Sequence, residues 1–163
     1  MRRLLAMLML MAAAGACTAD DSELAVTPTV ERAYLAEPIG EGPTAMYLQI
    51  RNETQRPASL VAVETEAATQ VELHTQRTTG DMMVMEQLDS IPIEPGGVLQ
   101  MRPGAEHVML LDPLPSMVMG DTVRATLIFS SGERVEATVP VVSYGELVEI
   151  FEVGAMAPRK ERD

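Results

Sequence analysis

Apolar and polar positions alternate in short runs along most of this chain, and no helical period is sustained beyond ten residues. The alternation predicts strands over residues 30–36, 45–51, 59–64, 70–76, 82–88, 97–101, 106–111, 122–129 and 134–141. Between them stand residues with turn chemistry: Thr79-Gly80-Asp81, Glu94-Pro95-Gly96-Gly97, Arg102-Pro103-Gly104 and Ser131-Gly132-Glu133. Many short strands joined by such turns predict an all-β domain over residues 30–142, an antiparallel β-sandwich or barrel of Greek-key type. Residues 143–163 are set apart as a C-terminal tail. Within it, 146–153 fits either a last strand or a short helix, and 157–163 reads as disordered. Asn52-Glu53-Thr54 matches a glycosylation sequon but reads as a turn.

Strand parity sorts the residues that carry chemistry. Side chains at i and i+2 share one face of a strand. In the run Val71 to His74, Val71 and Leu73 point one way, Glu72 and His74 the other. His107 and Met109 share a face opposite Val108 and Leu110, and Met83 and Met85 share a face across from Val84. His74 and His107 are the only histidines in the chain. Ten residues separate His74 from Met85, 21 separate Met85 from His107, and one separates His107 from Met109. Imidazole nitrogens and thioether sulfurs form a soft donor set suited to Cu(I), whereas zinc takes Cys, His or carboxylate. His74, Met85, His107 and Met109 are therefore the candidate metal ligands. Binding is expected to weaken as imidazole takes up a proton, because imidazolium cannot ligate. Met83, Met117 and Met119 are auxiliary candidates. Met46, Met82 and Met101 read as core, and Met156 as tail.

The N-terminus reads as an export signal over residues 1–16. Arg2 and Arg3 precede an apolar run, Leu4 to Ala14, too short to span a bilayer as a mature helix. Ala14-Gly15-Ala16-Cys17 resembles a bacterial lipobox, with Ala14 where a larger aliphatic is usual. Cys17 would be lipidated and anchor the chain to a membrane through a polar tether, residues 17–29. An ordinary signal-peptidase site at the same bond, leaving a soluble periplasmic protein, is the alternative. In either case the domain is expected outside the cytoplasm, facing the periplasm or the cell exterior.

Composition narrows the field further. The 163 residues suffice for one domain, 47% hydrophobic content allows a real core, and 3% aromatic content makes that core aliphatic. A net charge of −12 argues against a nucleic-acid partner, since phosphate contacts need Lys and Arg. The single Cys leaves no intrachain disulfide. It also excludes a blue-copper electron-transfer site in the domain, which requires a thiolate there.

The spacing of the four ligands, His74-x10-Met85-x21-His107-x-Met109, resembles the copper motif of the PCuAC family of exported Cu(I) chaperones. So do the stretches Ala45 to Asn52, Val71 to His74, Ile91 to Gly97, Arg102-Pro103-Gly104 and His107 to Leu110. The resemblance covers roughly residues 26–142. It implies a cupredoxin-like sandwich that holds Cu(I) and passes it to copper-accepting proteins, including cytochrome c oxidase assembly factors or subunits. The chain departs from the family at Thr75, Gln76 and Arg77, where further His or Met is common. It departs again after Met109, where Leu110 to Pro115 has less Gly and Lys character; the ligand positions are intact. A monomer and a non-enzymatic role are expected, since two histidines engaged as ligands leave no positioned base for a nucleophile. Two other readings stay open: a lipid-anchored protein that scavenges or buffers copper, and a β-sandwich adhesion or assembly module with no metal.

Overall fold

The computed structural model describes residues 27–80, 82–114 and 116–156. The segments expected as export signal and tether, with Cys17, lie outside them except for residues 27–29, as do Asp81, Pro115 and residues 157–163. The described residues form ten strands and one helix: β1 (Thr29–Ala36), β2 (Thr44–Arg51), β3 (Ala58–Thr65), β4 (Ala68–Thr79), β5 (Met82–Leu88), β6 (Ile91–Ile93), β7 (Val98–Gln100), β8 (His107–Pro113), β9 (Thr122–Phe129), β10 (Arg134–Val142) and α1 (Tyr144–Met156). The fold is all-β and cupredoxin-like, as the alternation and the resemblance predict.

Pairing follows the path β5-β4-β8-β2-β1-β10-β9-β3-β6, with β7 against β2. Among the described strands that follow one another in sequence, only β1–β2, β4–β5 and β9–β10 are hydrogen-bonded to each other. All pairs are antiparallel except β1 with β10, where Leu35 meets Val141 in parallel register. The inward sides of the two halves of this path meet in one core. Leu35, Leu48, Ile50, Leu127, Phe129 and Val139 are all buried there. Apolar burial at these alternating positions is the main stabilising term.

Turn residues act as their types require. In Arg102 to Ala105, Pro103 precedes Gly104 at φ 81°, and Ala105 N–H donates to Arg102 O at 3.1 Å. This is a type II turn, which needs a left-handed third residue that glycine alone adopts without strain. Asn52 is fully buried. Its amide donates to the carbonyls of Arg56, Ile93 and Glu94, and its Oδ1 accepts from Thr54 N–H and Oγ1. The side chain at the sequon is thus consumed by the fold, in keeping with the turn reading.

Two features, β6 and Met82, differ from what the alternation predicts, and the strand-or-helix choice left open at 146–153 falls to the helix. β6 is a three-residue strand with a central proline, at the end of the sheet path opposite β5. Pro92 has no N–H to donate, which an edge strand tolerates, and three residues are too few to show a period. Met82, expected in the core, is 69% exposed. β5 is an edge strand and every residue from Met82 to Gln87 is exposed, so the side of β5 carrying Met82 and Val84 has no core to enter. The segment 146–153 is helical. Ser143 caps α1 and Glu146 bonds back to Ser143 N–H at 2.9 Å and Oγ at 2.8 Å, while Glu146 N–H donates to Ser143 Oγ at 3.3 Å. This reciprocal Ser-x-x-Glu capping box was available in the sequence. Leu147, inside the segment set apart as a tail, is fully buried in the core, and Phe151 packs edge-on against Tyr47.

Candidate metal centre

The β5-β4-β8 ribbon gathers the four candidate ligands on one face. On β4, Leu73 is buried and Val71 packs against the core, and on β8 Val108 and Leu110 do the same work. Glu72, His74, His107 and Met109 consequently occupy the other face. Register then places them. His74 pairs with His107 across β4–β8, and Glu72 with Met109. Across β4–β5, His74 pairs with Gln87 and Gln76 with Met85. Met109 and Met85 therefore lie one step to either side of the histidine row. Met85 stands on the diagonal from His74, a span of about 7–8 Å between backbones that a long side chain bridges.

Burial divides the donors. His107 is 4% exposed and Met109 8%, yet Met109 is not among the side chains that pack into the hydrophobic core. Its β2 neighbour in register is Ala45, whose small side chain leaves the thioether room. Met85 is 54% exposed on the edge strand. The structure thus offers a sheltered trio, His74, His107 and Met109, and one accessible sulfur on the same face.

Hydrogen bonds fix both imidazoles. His107 Nδ1 donates to Ala105 O at 3.0 Å, so its Nε2 carries the lone pair. Ala105 O also accepts from Gln76 N–H at 3.3 Å, and the type II turn before it sets its position. His74 Nε2 lies 2.7 Å from Glu72 Oε2. That bond is the first cause holding the Glu72 carboxyl below its ordinary value, with a further contribution from Gln70 and burial working against both. His74 Nδ1 is buried with no hydrogen-bond partner. Tyr47 flanks His107 on the side away from His74, with ring centroids 6.3 Å apart, and burial raises its phenol above the usual range.

The auxiliary candidates fall in different places. Met83 is on the same face of β5 as Met85, 73% exposed, with Gln76 Nε2 donating to its sulfur at 2.8 Å. Met117 is buried in the hydrophobic core and Met119 is exposed, its N–H donating to Glu37. Both follow the Pro113 end of β8, about 20 Å along the strand from His107 at ~3.3 Å per residue. The structure does not bring them to the histidines. Two contributors went unassigned in the sequence. Glu72 shares His74's face by simple i, i+2 parity, which the linear pattern shows, whereas the placing of Tyr47 beside His107 across β2 and β8 does not show there.

Among the described residues no three His, Cys, Asp or Glu side chains cluster as a metal-holding group. The donors that share this face are imidazole nitrogens and thioether sulfurs, a combination suited to a soft cation. No described helix is long and apolar enough to cross a membrane.

Comparison with known proteins gives a consistent picture. Residues 28–141 match the family model LpqE-like, described as "Putative lipoprotein LpqE-like". "Putative lipoprotein Lxx21020" of Leifsonia xyli subsp. xyli is 29% identical over 106 residues, and the match spans 64% of this chain and 64% of that protein's length. The solution structure of CuI-DR1885 from Deinococcus radiodurans superposes with a TM-score of 0.59 at 28% identity, covering 79% of this chain and 86% of that one. The copper-bound PCuAC domain from PmoF2 gives 0.61 at 24% identity, covering 72% and 93%, a likeness of fold.

Proposed function

The chain belongs to the LpqE-like family and to the PCuAC group of cupredoxin-like domains, and from that premise we propose that it is an extracytoplasmic Cu(I) chaperone. The observation that carries the proposal is the buried, unpartnered Nδ1 of His74, set opposite His107 and one step from the sheltered thioether of Met109. A buried polar atom normally finds a partner. Here the missing partner is the cargo ion, and the relatives of this fold include copper-bound ones.

His74, His107 and Met109 hold the ion from the sheltered side, and Met85 closes the set from the exposed edge. Neutral donors suit a monovalent soft cation and leave it kinetically exchangeable. The asymmetry in burial gives transfer a direction: an acceptor's own soft ligands displace Met85 first, because that sulfur is accessible, and the buried donors release last. Acceptors are copper-accepting proteins, with cytochrome c oxidase assembly factors or subunits as the leading class. Lipid attachment at Cys17 would hold the domain beside membrane-bound acceptors. The role is binding and handover rather than catalysis.

Native mass spectrometry after Cu(I) loading tests the proposal, with His107→Ala and Met85→Ala beside the unaltered chain. One Cu(I) per chain, lost or weakened in both variants, supports it; equal loading of all three sinks it. Mixing the loaded protein with a copper-free acceptor domain then separates delivery from buffering, which would retain the ion.

A further inference from the structure

We propose that Glu72 is a positioning residue that makes the two histidines present different nitrogens, His74 its Nδ1 and His107 its Nε2. The identity of the ion rests on the copper reading above; the ring arrangement does not.

Residues 70, 72 and 74 of β4 share a face, and their side chains form a short relay. Gln70 Nε2 donates to Glu72 Oε1 at 2.5 Å, and Glu72 Oε2 lies 2.7 Å from His74 Nε2. An ionised carboxylate only accepts, so Nε2 of His74 carries the proton and Nδ1 is left as the lone-pair nitrogen. That nitrogen is buried without any donor. On the facing strand the arrangement is reversed, because His107 donates from Nδ1 to a backbone carbonyl. Metal-ligating histidines are commonly oriented by a partner on their second nitrogen. Here the two partners differ in kind and in the nitrogen they occupy.

The reversal has a geometric consequence. Nδ1 is adjacent to the ring carbon that joins the backbone side, whereas Nε2 is at the far end of the ring. His74 therefore donates from near the sheet surface and His107 from above it. The rings, 5.9 Å apart at 50°, need not aim like atoms at a common point. The two lone pairs would thus meet an ion from different heights above the sheet, with the buried Met109 one register step away on β8. Glu72 is not itself assigned as a ligand. Its two oxygens are already engaged, and a carboxylate is a hard donor poorly matched to a thioether set.

The test uses the full chain with 15N-labelled histidine. In the metal-free protein, long-range 15N–1H correlation spectra are expected to show His74 as the Nε2–H tautomer and His107 as the Nδ1–H tautomer. Adding Cu(I) is expected to move the His74 Nδ1 and His107 Nε2 resonances. Glu72→Ala should lower Cu(I) affinity about 10–100-fold and blur the His74 pattern. Glu72→Gln, whose carbonyl still accepts from Nε2–H, should restore most of both. Metal response at His74 Nε2, or a Glu72→Ala variant unchanged in tautomer and affinity, would overturn the proposal. If the tautomers were as stated but no copper bound, the cargo reading would fail while the ring assignment stood.

Discussion

His74 and His107 face each other directly across the β4–β8 pair, ring centroids 5.9 Å apart, although 32 residues lie between them in the chain. The pairing depends on antiparallel register alone. A slip of one residue would turn one imidazole into the core, so the hydrophobic alternation that buries Leu73 and Val108 also aligns the donors.

The two methionine ligands are expected to respond differently to the same change. Met85→Leu alters an exposed edge position, so its effect on unfolding should stay within about 0.5 kcal/mol. Met109→Leu replaces a buried side chain by one of similar volume and should cost less than about 1.5 kcal/mol. Each variant should nevertheless bind Cu(I) more weakly, measured by competition with a chromogenic Cu(I) chelator alongside urea unfolding. A large stability loss without an affinity loss at Met109 would reassign it as a packing residue.

Asn52 gives a test of the fold independent of metal. Its amide satisfies three backbone carbonyls, those of Arg56, Ile93 and Glu94. Asn52→Ala removes these donors; Arg56 O keeps Thr54 Oγ1 and Glu94 O keeps Gly97 N–H, so the cost of about 1–3 kcal/mol for an unsatisfied buried group falls chiefly on Ile93 O. Chemical unfolding should show a clear drop in midpoint. Asn52→Asp should be no better, since it places carboxylate oxygen against carbonyl oxygen.

The capping of α1 predicts an acid-side weakness. Hydrogen bonds from Ser143 backbone and side chain, in that order, lower the Glu146 carboxyl below its ordinary value of 4.5. A depressed folded value means the carboxylate contributes stability above the unfolded value and loses it as pH falls through the folded one. Helix α1 should therefore loosen below about pH 4.5, read by far-UV circular dichroism and by the Phe151 ring signals. In Glu146→Gln this component of the pH dependence should be absent.

Much of the site was legible before the fold. Period-two alternation located β4, β5 and β8, the parity of each strand put the donors away from the core, and donor softness restricted the ion. Parity failed at Met82 because a side chain's inward or outward sense has meaning only where another layer covers the strand, and β5 lies at the edge. It was also silent on β6, whose three residues pair through a distant strand rather than through any local signal.

By itself the sequence determined the strand content, the all-β class and the chemical identity of the donors, because these depend on residue type and on neighbours within a few positions. The tertiary structure decided which donors share a row, that Met117 and Met119 lie toward the far end of β8, that Glu72 occupies His74 Nε2, and that Nδ1 is left buried and unpaired. Apart from the Glu72–His74 bond, which lies within β4, those facts arise from pairing between strands distant in sequence, where register and burial, not local preference, fix which atoms meet.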